Sequence, residues 1–413
     1  MTIQERIDRT LVRVAAMAAL ATAVMASGCS KKSSEGTPSA APSEGPVVAL
    51  ASSGEARSGP PPSTWFDAAA YAKQLAQAKA TPVGDASMPW LQAIDPVYVD
   101  TSKYTKSAPW HVCFSNASLT NPWRTAGFAT MKAEVKLHPQ IAKFTVVDAG
   151  GKDEKQIADI SDLLTQNCSI LIVAPNTTGP LTTIVDQACK KIPVVDFDRG
   201  VRTDCPVTFI HPVGGFYYGV SSARFIASHV KKGGKVLVLR ILPGVDVLEH
   251  RWAGAQHVFD EEGIKVMGME FTGSDPAKTK QIVNDYIQRF HTIDGVWMDA
   301  GDTTEAAAEA FQDAGLEVPP IDGEDNNAWL QAWEKNKWTA MSATYPVYQW
   351  RTAILAAVDI LSGRKLPKEW VLPQPEITRE TLHEFISPNL PPTFYAMCGC
   401  QKMPGFPGAW GGQ

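Results

Sequence analysis

Short apolar segments alternate with segments of helical length and spacing through most of the chain, from residue 110 to residue 361. The apolar segments, of which residues 192–197 are an example, are rich in β-branched and aromatic residues and predict strands buried on both faces. Strands that alternate with helices imply right-handed crossovers and a parallel sheet with helices on both faces. The predicted fold class is therefore α/β.

The alternation restarts once, after residue 211. The second set is similar in size to the first and runs from residue 216 to residue 361. Two such sets predict two similar doubly wound parallel-sheet lobes, and 413 residues with 44% hydrophobic content suit a soluble protein of this size. A solenoid is excluded because no unit repeats three or more times.

Polar side chains follow the predicted strands at the points where the strands end. Asp198 and Arg199 come directly after residues 192–197. In an open α/β sheet, ligands lie outside the carboxyl ends of the strands. A carboxylate beside a guanidinium can accept from and donate to the same polyhydroxylated ligand. An ion pair that only stabilises a loop is an equal alternative for this dipeptide alone.

Other strand ends in both halves repeat this pattern, which favours a binding cleft between two lobes. Each residue also has an alternative: Trp123 can be a core aromatic, and Asp302 can be only a helix N-cap. The candidate ligand-binding residues are Ser118, Asn121, Trp123, Asp198, Arg199, Arg251, Asp299, Asp302, Asp325 and Thr344.

The first 28 residues have the features of a signal peptide. Arg6, Arg9 and Arg13 precede an apolar segment, residues 14–25, that is too short to span a bilayer. Small residues then precede Cys29, and this arrangement resembles a bacterial lipoprotein lipobox. The resemblance implies cleavage before Cys29 and lipidation of its thiol; a signal peptide with a chance cysteine is the alternative. Residues 29–63, rich in Ser, Gly and Pro, predict a flexible tether.

The mature protein is therefore expected in the periplasm or on the outer face of the cytoplasmic membrane. That compartment permits disulfides. Cys168 and Cys189 each precede a predicted strand, and these strands are expected to be neighbours, so a Cys168–Cys189 disulfide is predicted. For Cys113, in the middle of a strand, a buried free thiol is the alternative to a disulfide. The connectivity of Cys113, Cys205, Cys398 and Cys400 stays open.

Several classes of function receive no support from the sequence. A net charge of -5 without a basic helix or arm gives no reason to expect a nucleic acid partner. No metal-ligand spacing, nucleophile elbow or phosphate loop is present, so no metal, cofactor or enzymatic activity is expected. An exported hydrolase is accordingly disfavoured.

Residues from about 110 to about 374 resemble the type I periplasmic sugar-binding proteins, the group that includes ribose-binding protein. Each motif is weak alone, but their order over this length is specific. The residues that carry the resemblance are Thr120-Asn121-Pro122-Trp123, Pro193-Val194-Val195, Asp198-Arg199, Arg251 three residues before Gly254, Glu324-Asp325 and Ala343-Thr344-Tyr345-Pro346.

The resemblance implies two lobes that are joined by three crossing segments and close on a monosaccharide. It implies a first lobe of residues 109–212 plus 345–373 and a second of residues 213–344 plus 374–390. It further implies that Trp123 stacks on the sugar ring and that the hydroxyls are bound by Asn121, Asp198, Arg199, Arg251 and Asp325. Residues 64–108, an extension with one predicted helix, and residues 391–413, the tail, lie outside it.

The chain departs from the family pattern at four places. Arg124 stands where a second aromatic is frequent, Thr344 where an amide is common, and Gly301 where an Asn is frequent. The aromatic that is usual near the third strand of the second lobe is not clear around Gly273-Ser274. The expected function is a monomeric, lipid-anchored solute receptor that hands a sugar or polyol to the permease of an ABC importer. A sensor lipoprotein of the same fold, signalling to a membrane kinase or chemoreceptor, is the alternative.

Overall fold

The computed structural model describes residues 63–413. The predicted signal peptide, the predicted lipidation site Cys29 and nearly all of the predicted tether therefore lie outside the described residues. Among residues 63–413, no helix combines the length and the apolar character needed to cross a bilayer.

The described chain forms ten α-helices, fourteen strands and several short 3₁₀ helices. The helices are α1 (Ala68–Gln77), α2 (Pro122–Lys136), α3 (Asp153–Leu163), α4 (Thr178–Cys189), α5 (Gly215–His229), α6 (Asp246–Glu262), α7 (Pro276–Phe290), α8 (Thr304–Asp313), α9 (Asn327–Asn336) and α10 (Gln349–Leu361). The strands are β1 (Tyr98–Val99), β2 (Trp110–Asn116), β3 (Ile141–Asp148), β4 (Ile170–Ala174), β5 (Val194–Phe197), β6 (Thr208–Pro212), β7 (Lys235–Arg240), β8 (Lys265–Phe271), β9 (Gly295–Met298), β10 (Ile321–Gly323), β11 (Ala340–Ala343), β12 (Leu366–Pro367), β13 (Glu369–Leu372) and β14 (Glu376–Ile377).

Two six-stranded sheets define two lobes. The sheet of the first lobe has the order β13-β6-β5-β4-β2-β3 and is parallel throughout. The sheet of the second lobe has the order β14-β11-β10-β9-β7-β8, with only the edge strand β14 antiparallel. In each sheet the order reverses beside the first strand, at β2/β4 and at β7/β9, so that a crevice opens at the carboxyl ends of these strands.

The chain passes three times between the lobes: from β6 to α5, from β11 to α10 and from β13 to β14. Hydrogen bonds fasten these crossings to one another. The N–H of Gly214 donates to Gln374 Oε1 at 2.9 Å, and the Thr344 hydroxyl donates to the carbonyl oxygen of Pro375. The predicted α/β fold of two doubly wound lobes with a three-segment hinge is confirmed, whereas the exact domain bounds stay a prediction.

The extension contacts both lobes. Its helix α1 packs on α5 of the second lobe, where Phe66 and Tyr71 each meet Phe216 edge to face. Further along, the N–H of Ile94 donates to the carbonyl oxygen of Val371, in β13 of the first lobe, at 2.9 Å. The extension therefore crosses from one lobe to the other outside the three hinge segments.

The predicted Cys168–Cys189 disulfide is wrong. The bonds are Cys113–Cys168, Cys189–Cys205 and Cys398–Cys400. Cys168 lies just before β4, whose neighbour β2 carries Cys113 opposite Leu171, so Cys113 is not a free thiol. Cys189 ends α4 and meets Cys205 in the loop that leads into β6. The first bond joins a loop to the sheet and the second joins a helix to a loop, both within the first lobe.

Candidate functional site

The loops at the carboxyl ends of the two sheets meet between the lobes. Arg202, in the loop after β5, forms an ion pair with Asp246, at the start of α6, with 3.1 Å between Nη2 and Oδ2. Tyr345, in the second hinge crossing, donates its hydroxyl to the carbonyl oxygen of Asp198 at 3.1 Å. Its ring also faces the guanidinium of Arg251, 4.6 Å from the ring centre. These contacts close the cleft between the lobes.

A buried ion pair forms the first-lobe wall. Arg124 Nη2 lies 2.6 Å from Asp198 Oδ2, and both side chains are less than 5% exposed. Asp198 has a φ of 73°, a left-handed conformation that few residues other than glycine adopt. Its N–H donates to the carbonyl oxygen of Ile210 at 3.1 Å, which fixes the turn after β5 and aims the carboxylate at Arg124.

Arg199 lies beside this pair and donates to the carbonyl oxygen of Asn176. Burial, followed by the positive charge of Arg124, lowers the pKa of Arg199 to about 10. The charges of Asp198 and of Arg251, from the other lobe, also act on Arg199. The guanidinium stays protonated at neutral pH and supplies donors to the cleft.

Three predicted residues on the loop after β2 and in the first turn of α2 already have partners in the protein. Asn121 caps α2, because its side chain accepts from the N–H of Arg124 at 2.9 Å. Ser118 lies 3.2 Å from the Thr120 hydroxyl. Trp123 is buried and donates its indole N–H to the carbonyl oxygen of Tyr345 at 2.7 Å. The stacking of Trp123 on a sugar ring stays a prediction.

Arg251 is the centre of the second-lobe wall. Its guanidinium lies 4.0 Å above the ring of Tyr218 and 3.4 Å from Glu324 Oε1. It also donates to the carbonyl oxygen of Asp299. Close packing of α5 on α6 holds it there, because a Cβ at Gly219 would lie only 1.9 Å from the carbonyl oxygen of Arg251.

Asp299 is bound from its own lobe. Its carboxylate accepts from Arg240 Nε at 3.2 Å and from the N–H of Ile241 at 2.8 Å. Burial raises the pKa of Asp299 to about 6, against the lowering effect of Arg240 and Arg251. Its side chain therefore orients Arg240, while its carbonyl oxygen holds Arg251.

The loops after β9 and β10 bring three more acids to this wall. Burial raises the pKa of Glu324 to about 8, of Asp325 to about 7 and of Asp302 to about 6. The two loops touch, because a Cβ at Gly301 would lie 2.1 Å from the Glu324 nitrogen. A side chain at Gly301 would therefore clash with the backbone of the loop after β10.

Several buried polar atoms of the cleft have no hydrogen-bond partner within residues 63–413. They include both donors and acceptors, so the hydroxyl groups of a ligand could satisfy them by accepting as well as by donating hydrogen bonds. These atoms are Arg251 Nε, the hydroxyls of Tyr218 and Tyr395, Asp302 Oδ1 and Asp325 Oδ1.

The structure thus brings together the predicted residues Asp198, Arg199, Arg251, Asp302 and Asp325. Asp299 takes part through its backbone. Thr344 is bound to the hinge through its hydroxyl, and Asn121, Ser118 and Trp123 have protein partners.

Sequence reasoning did not place Arg124, Tyr218, Glu324, Tyr345 and Tyr395 among the site residues. Glu324 and Tyr345 stand next to predicted residues and could have been found by the rule that ligands lie at strand ends. Tyr395 lies far beyond the last predicted strand and carries no local signal.

One group of metal-binding residue types lies close together among the described residues: His111, Cys113 and Cys168. The sulfurs of Cys113 and Cys168 are bonded to each other, so they are not available as thiolate ligands. The cleft itself offers carboxylates and guanidinium groups side by side, an arrangement suited to hydrogen-bonding a neutral polar molecule.

Comparison with known proteins gives consistent matches. Residues 112–365 match the family described as periplasmic binding protein domain. The ribose import binding protein RbsB of Bacillus subtilis is 26% identical over 276 residues, which are 66% of this chain and 88% of that protein. These relatives are binding proteins rather than enzymes.

Solved structures share the fold. The fructose-binding periplasmic domain of a hybrid two-component system has a TM-score of 0.60 at 22% identity, over 67% of this chain and 92% of that one. An ABC transporter solute-binding protein from Bacillus halodurans with bound myo-inositol has a TM-score of 0.63 at 20% identity, over 68% and 98%. The chain has two α/β lobes and a three-segment hinge, and the family match covers residues 112–365. On these grounds the chain belongs to the type I periplasmic sugar-binding protein family.

Proposed function

We propose that the protein is a lipid-anchored extracytoplasmic solute-binding protein that captures a neutral sugar or polyol between its lobes and delivers it to an ABC importer. The observation that carries this proposal is the set of buried donors and acceptors in the cleft that have no partner within residues 63–413. A polyhydroxylated ligand offers both donors and acceptors, and lobe closure around it excludes water.

The balance of charge in the cleft supports a neutral ligand. Carboxylates on both walls face guanidinium groups at short range, as in the pairs Arg124–Asp198 and Arg251–Glu324. Because neither sign dominates, an anion or a cation would meet like charges as well as opposite ones. Hydroxyl groups can donate to the carboxylates and accept from the guanidinium groups.

Binding is tested by calorimetry on the mature protein with D-ribose, D-fructose and myo-inositol. Arg251→Ala and Asp325→Ala should weaken binding of the tightest ligand by about ten- to a hundred-fold, because each leaves buried polar groups unpaired. Asp285→Ala, on the exposed side of α7, is the matched control and should bind like the wild type.

Circular dichroism must show each variant folded. Wild-type affinity in both cleft variants would overturn the assignment of the site. Asp153, at the start of α3, is unsuitable as the control, because it accepts from Asn176 at 2.8 Å next to Arg199.

Anchoring and delivery need experiments in cells. If Cys29 carries lipid, Cys29→Ser should move the protein from the membrane fraction to the soluble extracytoplasmic fraction. Loss of the protein should abolish uptake of its labelled ligand. Normal uptake together with a lost transcriptional response to the ligand would instead favour the sensor alternative.

A further inference from the structure

The tail, residues 391–413, lies beyond the matched family region and packs along the second-lobe wall. The N–H groups of Asn327 and Ala328, at the start of α9, donate to the carbonyl oxygens of Phe394 at 2.7 Å and Pro392 at 3.0 Å. Because α9 begins just after Asp325, these bonds place the tail directly against the site.

Met397 joins the tail to both lobes. Its N–H donates to Asp325 Oδ2 at 2.7 Å, and its carbonyl oxygen accepts from the N–H of Tyr348 at 2.9 Å, just before α10. Arg351 of α10 also donates to the carbonyl oxygen of Gly399 at 2.6 Å. The tail is therefore held at a fixed position where the lobes meet.

This position brings Tyr395 into the acidic part of the cleft. Its backbone forms a β-bridge with Asn326, and its side chain is fully buried. Its hydroxyl has no hydrogen-bond partner among the described residues. Burial and the charges of Glu324, Asp302 and Asp325 raise the pKa of Tyr395, so the hydroxyl stays protonated and able to donate.

Asp325 Oδ1 is buried and unpartnered in the same way. A buried polar group without a partner costs free energy, and native structures seldom leave one so. A ligand hydroxyl beside both groups would accept from the tyrosine and donate to the carboxylate, which satisfies the two protein groups at once.

We propose that Tyr395 is a ligand-binding, specificity-determining residue whose hydroxyl, together with Asp325, binds one hydroxyl group of the sugar or polyol. The tail is then a part of the binding site that lies outside the two lobes of the matched family. This inference rests on the proposed function and names one of the contacts that would select the ligand.

Tyr395→Phe removes only the hydroxyl. Calorimetry should use whichever of D-ribose, D-fructose and myo-inositol binds tightest, together with each of its singly deoxygenated derivatives. The variant should bind the parent compound about ten-fold more weakly. One derivative lacks the hydroxyl group that Tyr395 binds. The wild type's preference for the parent over that derivative should be about ten-fold smaller in Tyr395→Phe, as in a double-mutant cycle. The preference for the parent over the other derivatives should be the same in both proteins.

Thermal unfolding of the ligand-free protein gives an independent readout. Because the Tyr395 hydroxyl has no hydrogen-bond partner in the part of the chain that the structure describes, Tyr395→Phe should unfold no earlier than the wild type. The matched control is Tyr286→Phe, on α7. It removes a hydroxyl that is hydrogen-bonded to Glu270 at 2.9 Å, and this variant should leave the affinity for every compound unchanged.

The outcomes separate the two proposals. Wild-type protein that binds none of the three compounds overturns the proposed function and this inference with it. Wild-type binding with full affinity in Tyr395→Phe, or with an equal loss for the parent and all derivatives, overturns the role of Tyr395 alone.

Discussion

Arg124 carries a charge into the first-lobe wall and makes Asp198 important for folding as well as for binding. Removing one partner of a buried ion pair leaves the other charge uncompensated, which typically costs about 3–5 kcal/mol. Asp198→Ala should therefore lower the free energy of unfolding in urea by about that amount, in addition to weakening binding. This differs from the expectation for an isolated residue at a cleft surface.

The double variant Arg124→Met/Asp198→Leu tests whether the loss of stability in Asp198→Ala comes from the unpaired charge of Arg124. Replacing both charges by apolar groups of similar size should restore most of the lost stability, because no buried charge remains unpaired. If Asp198→Ala alone costs less than about 1 kcal/mol, the range of exposed pairs, the buried pair does not exist as described.

The buried acids of the second-lobe wall make stability depend on pH. Burial raises the pKa of Glu324 from 4.5 to about 8 and that of Asp325 from 3.8 to about 7. The folded protein then binds more protons than the unfolded chain. The stability that Glu324 and Asp325 contribute in their protonated form is therefore fully present below about pH 4 and is lost as the pH rises through 7 and 8.

Between about pH 7 and pH 9, the free energy of unfolding should therefore fall by about 1–2 kcal/mol. Two histidines with lowered pKa, His111 and His250, titrate below this window. Glu324→Gln should flatten the slope, and the exposed Glu317→Gln should not. A wild-type stability that is constant or rising over this range would contradict the prediction.

The rule that polar residues at strand ends face the cleft predicted the place of some site residues and not of others. Asp198, Arg251 and Asp325 lie where the sequence predicts polar groups because strand ends in an open sheet face the cleft. The partner of Asp198 could not be predicted, since Arg124 is 74 positions away and meets it only through the left-handed turn. Thr344 obeys the strand-end rule but gives its hydroxyl to the hinge.

At the level of elements, the two disulfides of the first lobe should be visible in peptides. Non-reducing mass spectrometry should find Cys113 linked to Cys168 and Cys189 linked to Cys205. Cys113→Ala/Cys168→Ala should lower the free energy of unfolding by about 2–4 kcal/mol, the usual effect of losing a disulfide. A peptide that joins Cys168 to Cys189 would contradict the structure.

Both sheets could be predicted because a buried parallel strand consists mostly of apolar residues, and this pattern is visible in the local sequence of β4 and β7. The edge strands could not. β13 pairs with β6, about 160 positions earlier, and β14 turns antiparallel against β11. The tail has no periodic pattern at all, and long-range hydrogen bonds and packing determine its place.

At the scale of the whole molecule, Arg202 and Asp246 form an ion pair that joins the two lobes at 3.1 Å. The arginine is 57% exposed, and such pairs contribute only about 0–1 kcal/mol. Arg202→Ala should leave the free energy of unfolding nearly unchanged and weaken ligand binding by no more than about five-fold.

Salt should reveal the same contact. Added salt screens an exposed pair, so it should weaken ligand binding more in the wild type than in Arg202→Ala. Arg289→Ala, on α7, is the control and should show the salt response of the wild type. Equal responses in all three proteins would mean that the pair does not contribute to closure.

Trp65 gives the closed molecule its own optical signal. Its ring lies 5.7 Å from the Arg202 guanidinium of the first lobe and 6.2 Å from the His250 ring of the second. Separation of the lobes would replace the guanidinium by water and change the fluorescence of the indole. The sequence contains 12 tryptophans, so the difference between wild type and Trp65→Phe isolates this one. Opening and closing can then be followed by emission in real time, without an attached dye.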